Sequence, residues 1–367
     1  MHCFSSTLAA LAAAPLLASA LPIVNRAASA NVVLVFQFAN VLQQLEGQFY
    51  QQGLAKFQDS DFQTAGFSSG MIATQVLSTI QSDEATHESF IQQTLIDNGA
   101  TPLTCNFSFD SALADVPTLA ATARVVEYIG VSAFLGGANL LDDPIFLDAA
   151  ASILTVEARH QTLLNILSGT GSAIPSAFDI ALTPQEVLSI AGGFITGPCN
   201  TGIIPTNPLT VNNTGPISSG TLLTVSATNI TGTDGLFCNM IVGGANFAIN
   251  MPLAQCVVPG GINGPVALWI TNDDQPLAND VVYRGSSQQI AGPAIFFVDS
   301  QPEMLGQLVR SSPSSSDDAS DGAAAAPTPT PLPPNIGPSP DGPSPDDNVI
   351  VNGVSSVPAT TPSAPSP

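Results

Sequence analysis

Apolar positions recur every three or four residues over long stretches between residues 31 and 195, the period of helices that bury one face. The pattern predicts helices at about residues 31–55, 69–98, 116–141 and 144–167, with a shorter fifth at 184–195. Several ends carry their own signals. Asp143 can cap the fourth helix with Pro144 at its first position, Thr183 and Pro184 do the same for the fifth, and Gly99 suits the end of the second. From about residue 205 to 310 the period changes to short runs rich in Val, Ile, Thr and Phe, at 222–227, 236–242, 266–270 and 295–298. Turn signals such as Gly243-Gly244 and Asn263-Gly264-Pro265 separate them, and that spacing predicts a small β-sandwich. Residues 311–367 are Pro, Ser, Thr, Ala and Asp with almost no large apolar side chain, so they are expected to form a disordered tail.

The connections constrain how the helices pack. Only a couple of residues join the third and fourth helices, which forces a hairpin, whereas roughly 17 residues separate the second from the third. A 25-residue helix is about 38 Å long, and roughly 12 extended residues cover that length. The longer linker can therefore run back along the bundle, giving a four-helix bundle with one crossover. The fold class expected is α+β multidomain: a helical bundle at 30–199, a β-sandwich-like domain at 205–310 and the tail.

Composition changes the picture in three ways. An apolar run from Leu8 to Leu17 followed by Ala18-Ser19-Ala20 reads as a signal peptide over residues 1–20, and no later run reads as membrane-spanning, so a secreted, extracellular or cell-wall protein is expected. Once Cys3 leaves, Cys105, Cys199, Cys238 and Cys256 remain, an even number suited to disulfides outside the cytosol. Four cysteines allow three pairings; Cys105 with Cys199 and Cys238 with Cys256 is favoured because each pair stays within one region. Sequons at Asn106, Asn212 and Asn229 are open to N-glycosylation. The net charge of -22 arises from having only six Lys and Arg, which excludes nucleic acid and anionic membrane surfaces as partners.

Two histidines follow residue 20, and each stands three positions after a glutamate: Glu84-Ala85-Thr86-His87 and Glu157-Ala158-Arg159-His160. That spacing puts carboxylate and imidazole on one helix face, close enough to hold one ion. Glutamate is rare here, seven in all, yet the other two long helices each carry one near the middle, Glu46 and Glu127. One Glu from each of two helices and an ExxH from each of the other two is the arrangement by which bundles hold two metal ions. Four carboxylates balance two divalent cations, and open coordination places admit water, peroxide or dioxygen. Glu46 and His87 are assigned to one ion, Glu127 and His160 to the other, and Glu84 and Glu157 to bridging. Tyr50, one turn after Glu46, either lines the site or packs; Arg124 and Arg159 are either outer partners of the site or surface ion pairs; Trp269 belongs to the β core.

Leu45-Glu46-Gly47-Gln48-Phe49-Tyr50-Gln51-Gln52-Gly53-Leu54, Asp61-Phe62, Ala65-Gly66-Phe67, the two ExxH segments, Gly130-Val131-Ser132-Ala133-Phe134-Leu135-Gly136-Gly137-Ala138 and Phe178 resemble the secreted ferritin-like proteins of fungi. That group includes stress-response and late sexual development proteins and is similar to the plant desiccation-related proteins. The resemblance covers about residues 30–199, and its ligand pattern transfers to Glu46, Glu84, His87, Glu127, Glu157 and His160 without a missing member. It implies a ferritin-like bundle with two divalent ions, iron or manganese, acting on peroxide, dioxygen or ferrous iron as a catalase- or ferroxidase-like protein. The alternative is a non-catalytic extracellular or cell-wall stress protein with a structural or vestigial metal site. A β region and a tail on the bundle surface argue against a storage cage, so a monomer or small oligomer is expected.

Overall fold

The computed structural model describes residues 28–310; the signal peptide read at 1–20 and the tail read at 311–367 lie outside the described residues. Helix α1 (Ala30–Lys56) starts where Ser29 Oγ accepts from the Val32 N–H. A single turn, α2 (Asp59–Thr64), follows, fixed by an Asp61 carboxylate that accepts from the Gln58 N–H and by buried Phe62. Helix α3 (Gly70–Asp97) stops before Gly99, whose φ of 76° is a left-handed conformation that disfavours any Cβ. Helices α4 (Val116–Gly137) and α5 (Pro144–Ser168) are capped by the carboxylates of Asp115 and Asp143, and α6 (Pro184–Ala191) by a reciprocal Thr183–Glu186 capping box. The expected fifth helix is shorter than its pattern, because Gly192 to Phe194 tighten into a 3-10 turn. A last short helix, α7 (Met304–Leu308), completes the helical set among the described residues.

Four long helices, α1, α3, α4 and α5, bury their apolar faces together. In α1 burial runs nearly all round from Phe38 to Glu46, including Asn40 and Gln44. Those two amides lie against the α3–α4 linker: Asn40 and Gln44 donate to the Leu103 carbonyl, Gln44 Oε1 accepts from the Cys105 N–H, and Gln37 donates to the Thr101 carbonyl. The linker's backbone therefore finds partners on α1 instead of water, which is what lets a crossover lie on a helix. Its end is fixed by strand β1 (Asn106–Phe107) pairing antiparallel with β2 (Ile195–Thr196) and by the Cys105–Cys199 disulfide. By length and composition Val116–Leu140 could cross a membrane, but 72% of that window is buried inside the protein, as befits a core helix.

Strands β3 (Thr210–Val211) and β4 (Val225–Ser226) form a two-stranded sheet, and β5 (Phe237–Val242), β6 (Ile249–Pro252), β7 (Gly264–Thr271) and β8 (Gln289–Val298) a four-stranded antiparallel one in the order β6-β5-β7-β8. Every residue of β7 is buried, which explains its uninterrupted apolar run. One face, with Cys238, Met240, Val266, Leu268 and Ile270, packs on Leu209 and Leu223 and carries the Cys238–Cys256 disulfide. The opposite face, with Ile241, Ala267 and Trp269, belongs to the same hydrophobic core as Leu42, Tyr128, Leu182 and Leu188. Trp269 thus packs toward the helices, and bundle and sheet share one core.

Two buried cations reinforce that junction. Arg124 of α4 makes a bidentate pair with Asp299 at 2.8 Å, donates to Asn165 Oδ1 and lies 3.8 Å over the Phe297 ring. Arg284 donates to Glu186 Oε2 at 2.8 Å and covers Trp269. Burial raises the Asp299 pKa but Arg124 outweighs it, holding that carboxyl below its usual range. Asp299→Ala leaves a buried guanidinium unpaired and should cost about 3 kcal/mol in a denaturant titration. After α7 the chain returns to the bundle: Ser68 Oγ donates to the Leu308 carbonyl, the Ser68 N–H to Val309, and Arg310 covers Phe67 while donating to the Ser168 carbonyl. The sequon asparagines Asn106, Asn212 and Asn229 are all exposed.

Candidate metal centre

The middle of each long helix contributes to one polar cluster inside the apolar core. Glu46 comes from α1, Glu84 and His87 from α3, Glu127 from α4, and Glu157 and His160 from α5. Glu84, Glu127, Glu157 and His160 each present a ligand atom, and these atoms lie within 4.8 Å of one another. His160 Nδ1 is 2.9 Å from Glu84 Oε1 and 3.3 Å from Glu127 Oε2. His87 Nδ1 is 3.4 Å from Glu84 Oε2 and 3.5 Å from Glu157 Oε1. Glu84 thus places one oxygen toward each imidazole. Glu46 joins through Gln43, whose Nε2 donates to Glu46 Oε2 at 2.7 Å and Glu157 Oε1 at 2.9 Å. Of the six residues singled out in the sequence, Glu84, Glu127, Glu157 and His160 form the mutual group, His87 lies at its edge and Glu46 is linked through Gln43.

Burial makes this arrangement costly without a cation. Glu84, Glu127 and Glu157 are fully buried, Glu46 and His160 nearly so, and only His87 is partly open. Burial, and then the neighbouring carboxylates, push the Glu46 pKa well above the usual carboxylate range; burial raises Glu127 and Glu157 too. For the histidines burial works the other way, yet the carboxylates outweigh it: Glu157 and Glu84 raise His87 to about 9, and Glu127 and Glu84 raise His160 to about 11. Tyr50 is buried with its hydroxyl toward Glu127, and burial followed by that carboxylate pushes its pKa well up.

Among the described residues, Glu84 Oε1, both Glu127 oxygens, Glu157 Oε2 and His160 Nδ1 have no hydrogen-bond partner. The contacts of His160 Nδ1 with Glu84 and Glu127 are close without being hydrogen bonds. Convergent, unsatisfied acceptors in a buried core are a donor set compatible with a metal site. No Lys or Arg among the described residues pairs with these carboxylates.

Three contributors escaped sequence reading. Gln43 lies one turn before Glu46, so helical spacing puts both on one face; that signal was available. Asp83 Oδ2 lies 3.1 Å from His160 Nε2, which orients the ring and leaves Nδ1 facing the cluster; being adjacent to Glu84, it has no spacing signature. Gly130 is the third: a methyl group there would lie 2.7 Å from Glu157 Oε2 and 2.8 Å from Glu46 Oε1. Arg124, weighed as an outer partner or a surface ion pair, is instead a buried cation committed to Asp299, and Arg159 is exposed.

Helices whose midpoints converge on buried carboxylates and imidazoles define a helical protein with a cluster compatible with a metal site. Residues 31–170, which span all four long helices, match the family model of the ferritin-like domain. The chain therefore contains a ferritin-like domain, with the sheet region outside the match. No curated protein matches the chain.

Proposed function

We propose that the ferritin-like domain holds two divalent ions, iron or manganese, on Glu46, Glu84, His87, Glu127, Glu157 and His160, within a four-helix bundle followed by a β-sandwich-like domain. The observation that carries this reading is the set of buried, unpartnered carboxylate oxygens around two imidazoles. Glu84, with one oxygen toward each histidine, suits the bridging role, and Glu157, shared between His87 and the Gln43 amide, suits the second bridge. Iron or manganese bound there would supply redox chemistry toward peroxide, dioxygen or ferrous iron. The protein's part is to exclude water, to hold Glu46 and Glu157 through Gln43, and to fix the His160 tautomer through Asp83.

The same reading takes the chain as exported, with N-glycans on Asn106, Asn212 and Asn229, in a stress or developmental setting; the two disulfides accord with an oxidising compartment. A second reading, a structural metal site in a non-catalytic extracellular protein, is favoured by the full burial of Glu84, Glu127 and Glu157. Azide separates the two: added to iron-loaded protein, it should shift the visible absorption of an open site and leave a closed one unchanged.

Elemental analysis of protein purified without chelator should find close to two ions per chain. A content near zero after iron or manganese supplementation, with the helices intact by circular dichroism, would overturn the proposal. Gly130→Ala should weaken metal binding about tenfold or more, since displacing groups that orient ligands typically costs about 10–100-fold. Competition against a chromophoric chelator measures it.

A further inference from the structure

A second site stands outside the carboxylate cluster. A cleft of about 260 Å³ opens between α4, α5 and the α5–α6 connection, walled largely by apolar groups including Val131, Ile174 and Pro175. Drug-sized ligands occupy about 300–1,000 Å³, so this cleft suits something smaller. Arg159 and Asp179 both line it and are exposed, and neither makes an ion pair or side-chain hydrogen bond among the described residues, with each other or with anything else.

That isolation is unusual for this protein. Five of its cations fall among the described residues, and four are committed: Lys56 to the Leu113 carbonyl, Arg124 to Asp299, Arg284 to Glu186, and Arg310 to the Ser168 carbonyl. Arg159 is the exception. Gln161, also in the lining, is buried, and its orientation follows from its neighbours. Asn165 Oδ1 accepts from Arg124 Nε, which can only donate, so Gln161 must present its Nε2 to that oxygen at 2.9 Å. Its Oε1 is left as a buried acceptor without a partner.

We propose that this cleft binds a free α-amino acid with an apolar side chain, its carboxylate on Arg159, its ammonium toward Asp179 and the Gln161 carbonyl, and its side chain against the apolar wall. The chemistry selects a zwitterion. A simple anion would meet Asp179 and the overall charge of -22, a simple amine would leave Arg159 unmatched, and a peptide terminus carries only one of the two charges.

The test is calorimetric titration of the full chain with L-leucine, 4-methylpentanoate (leucine without its amine) and isopentylamine (leucine without its carboxylate). Saturable binding of leucine, with each analogue about tenfold or more weaker, is expected, because each loses one charge-assisted contact. Arg159→Gln should bind leucine about tenfold more weakly and lose its preference over isopentylamine, and Asp179→Asn should lose its preference over 4-methylpentanoate. Both side chains are exposed, so thermal unfolding of the variants should match wild type. Absence of saturable leucine binding, an analogue binding as tightly as leucine, or unchanged binding in both variants would overturn the proposal. Metal content plays no part in any of these readouts, so failure here leaves the metal centre untouched.

Discussion

Stripped of metal, the protein should melt at progressively lower temperature as the pH is raised from about 5 to about 10, while the loaded protein gains stability over its stripped form across the same range. The sign follows from the shifts at the cluster. His87, His160, Glu46, Glu127 and Glu157 all bind protons more tightly in the fold than in the unfolded chain. The contribution of His87 is fully present below its unfolded value of 6.5 and is lost as pH rises through about 9; that of His160 is lost through about 11. The three glutamates act in the same direction, fully present below 4.5 and fading above it. One pKa unit is worth about 1.4 kcal/mol, so the two histidines, raised to about 9 and about 11, set the size of the effect, and the glutamates add to it in the same direction. Metal reverses the dependence because it needs the same groups deprotonated. Calorimetric melts with and without chelator across pH would show it, together with proton release on loading. Parallel pH profiles for the two forms would mean that metal binds elsewhere.

His87→Gln and His160→Gln should each lower the melting temperature of the metal-loaded protein; in stripped protein near pH 9 His87→Gln should change little, because the protonated imidazole no longer contributes fully, whereas His160→Gln still removes a contribution that persists until the pH passes about 11. A ligand present at 100 times its dissociation constant stabilises a fold by about 2.7 kcal/mol, so losing one ion is of that order. A histidine that merely packs would cost about 1–3 kcal/mol in both forms. Stoichiometry decides the matter: each variant should retain about one ion, because each histidine serves one half of the cluster while Glu84 reaches both imidazoles and stays to hold the other half. Unchanged stoichiometry with equal destabilisation in both forms would return the histidines to the core.

Much of this was legible because strong local rules agreed with the tertiary structure. Asp143 with Pro144 and Thr183 with Pro184 are caps with one meaning, and the helices start where they stand. Helices α2 and α7 were not expected, since five or six residues are too few for a period to emerge. Strand β6 was missed as well; its Asn-Met sequence offers no alternation. The six cluster residues stood out through the rarity of glutamate and histidine, whereas Asp83 and Gly130 act through position alone. Arg124 was ambiguous because its partner lies 175 positions away. Trp269 was recognisable as core, but only the alternation of β5 and β7 in three dimensions reveals that its face turns toward the helices.

The return of the chain after α7 sets a timetable for folding. Ser68 takes its partners from Leu308 and Val309, a separation of 240 residues in the first case. Synthesis proceeds at about 5–20 residues per second, so the segment that closes on the α2–α3 turn emerges roughly 12–48 s after Ser68 does. Helices α1 to α5 can nucleate within microseconds of appearing. From the completion of α5 at Ser168 until Arg310 is made, the nascent bundle therefore waits with its Phe67 edge uncovered, a window in which a chaperone can engage it.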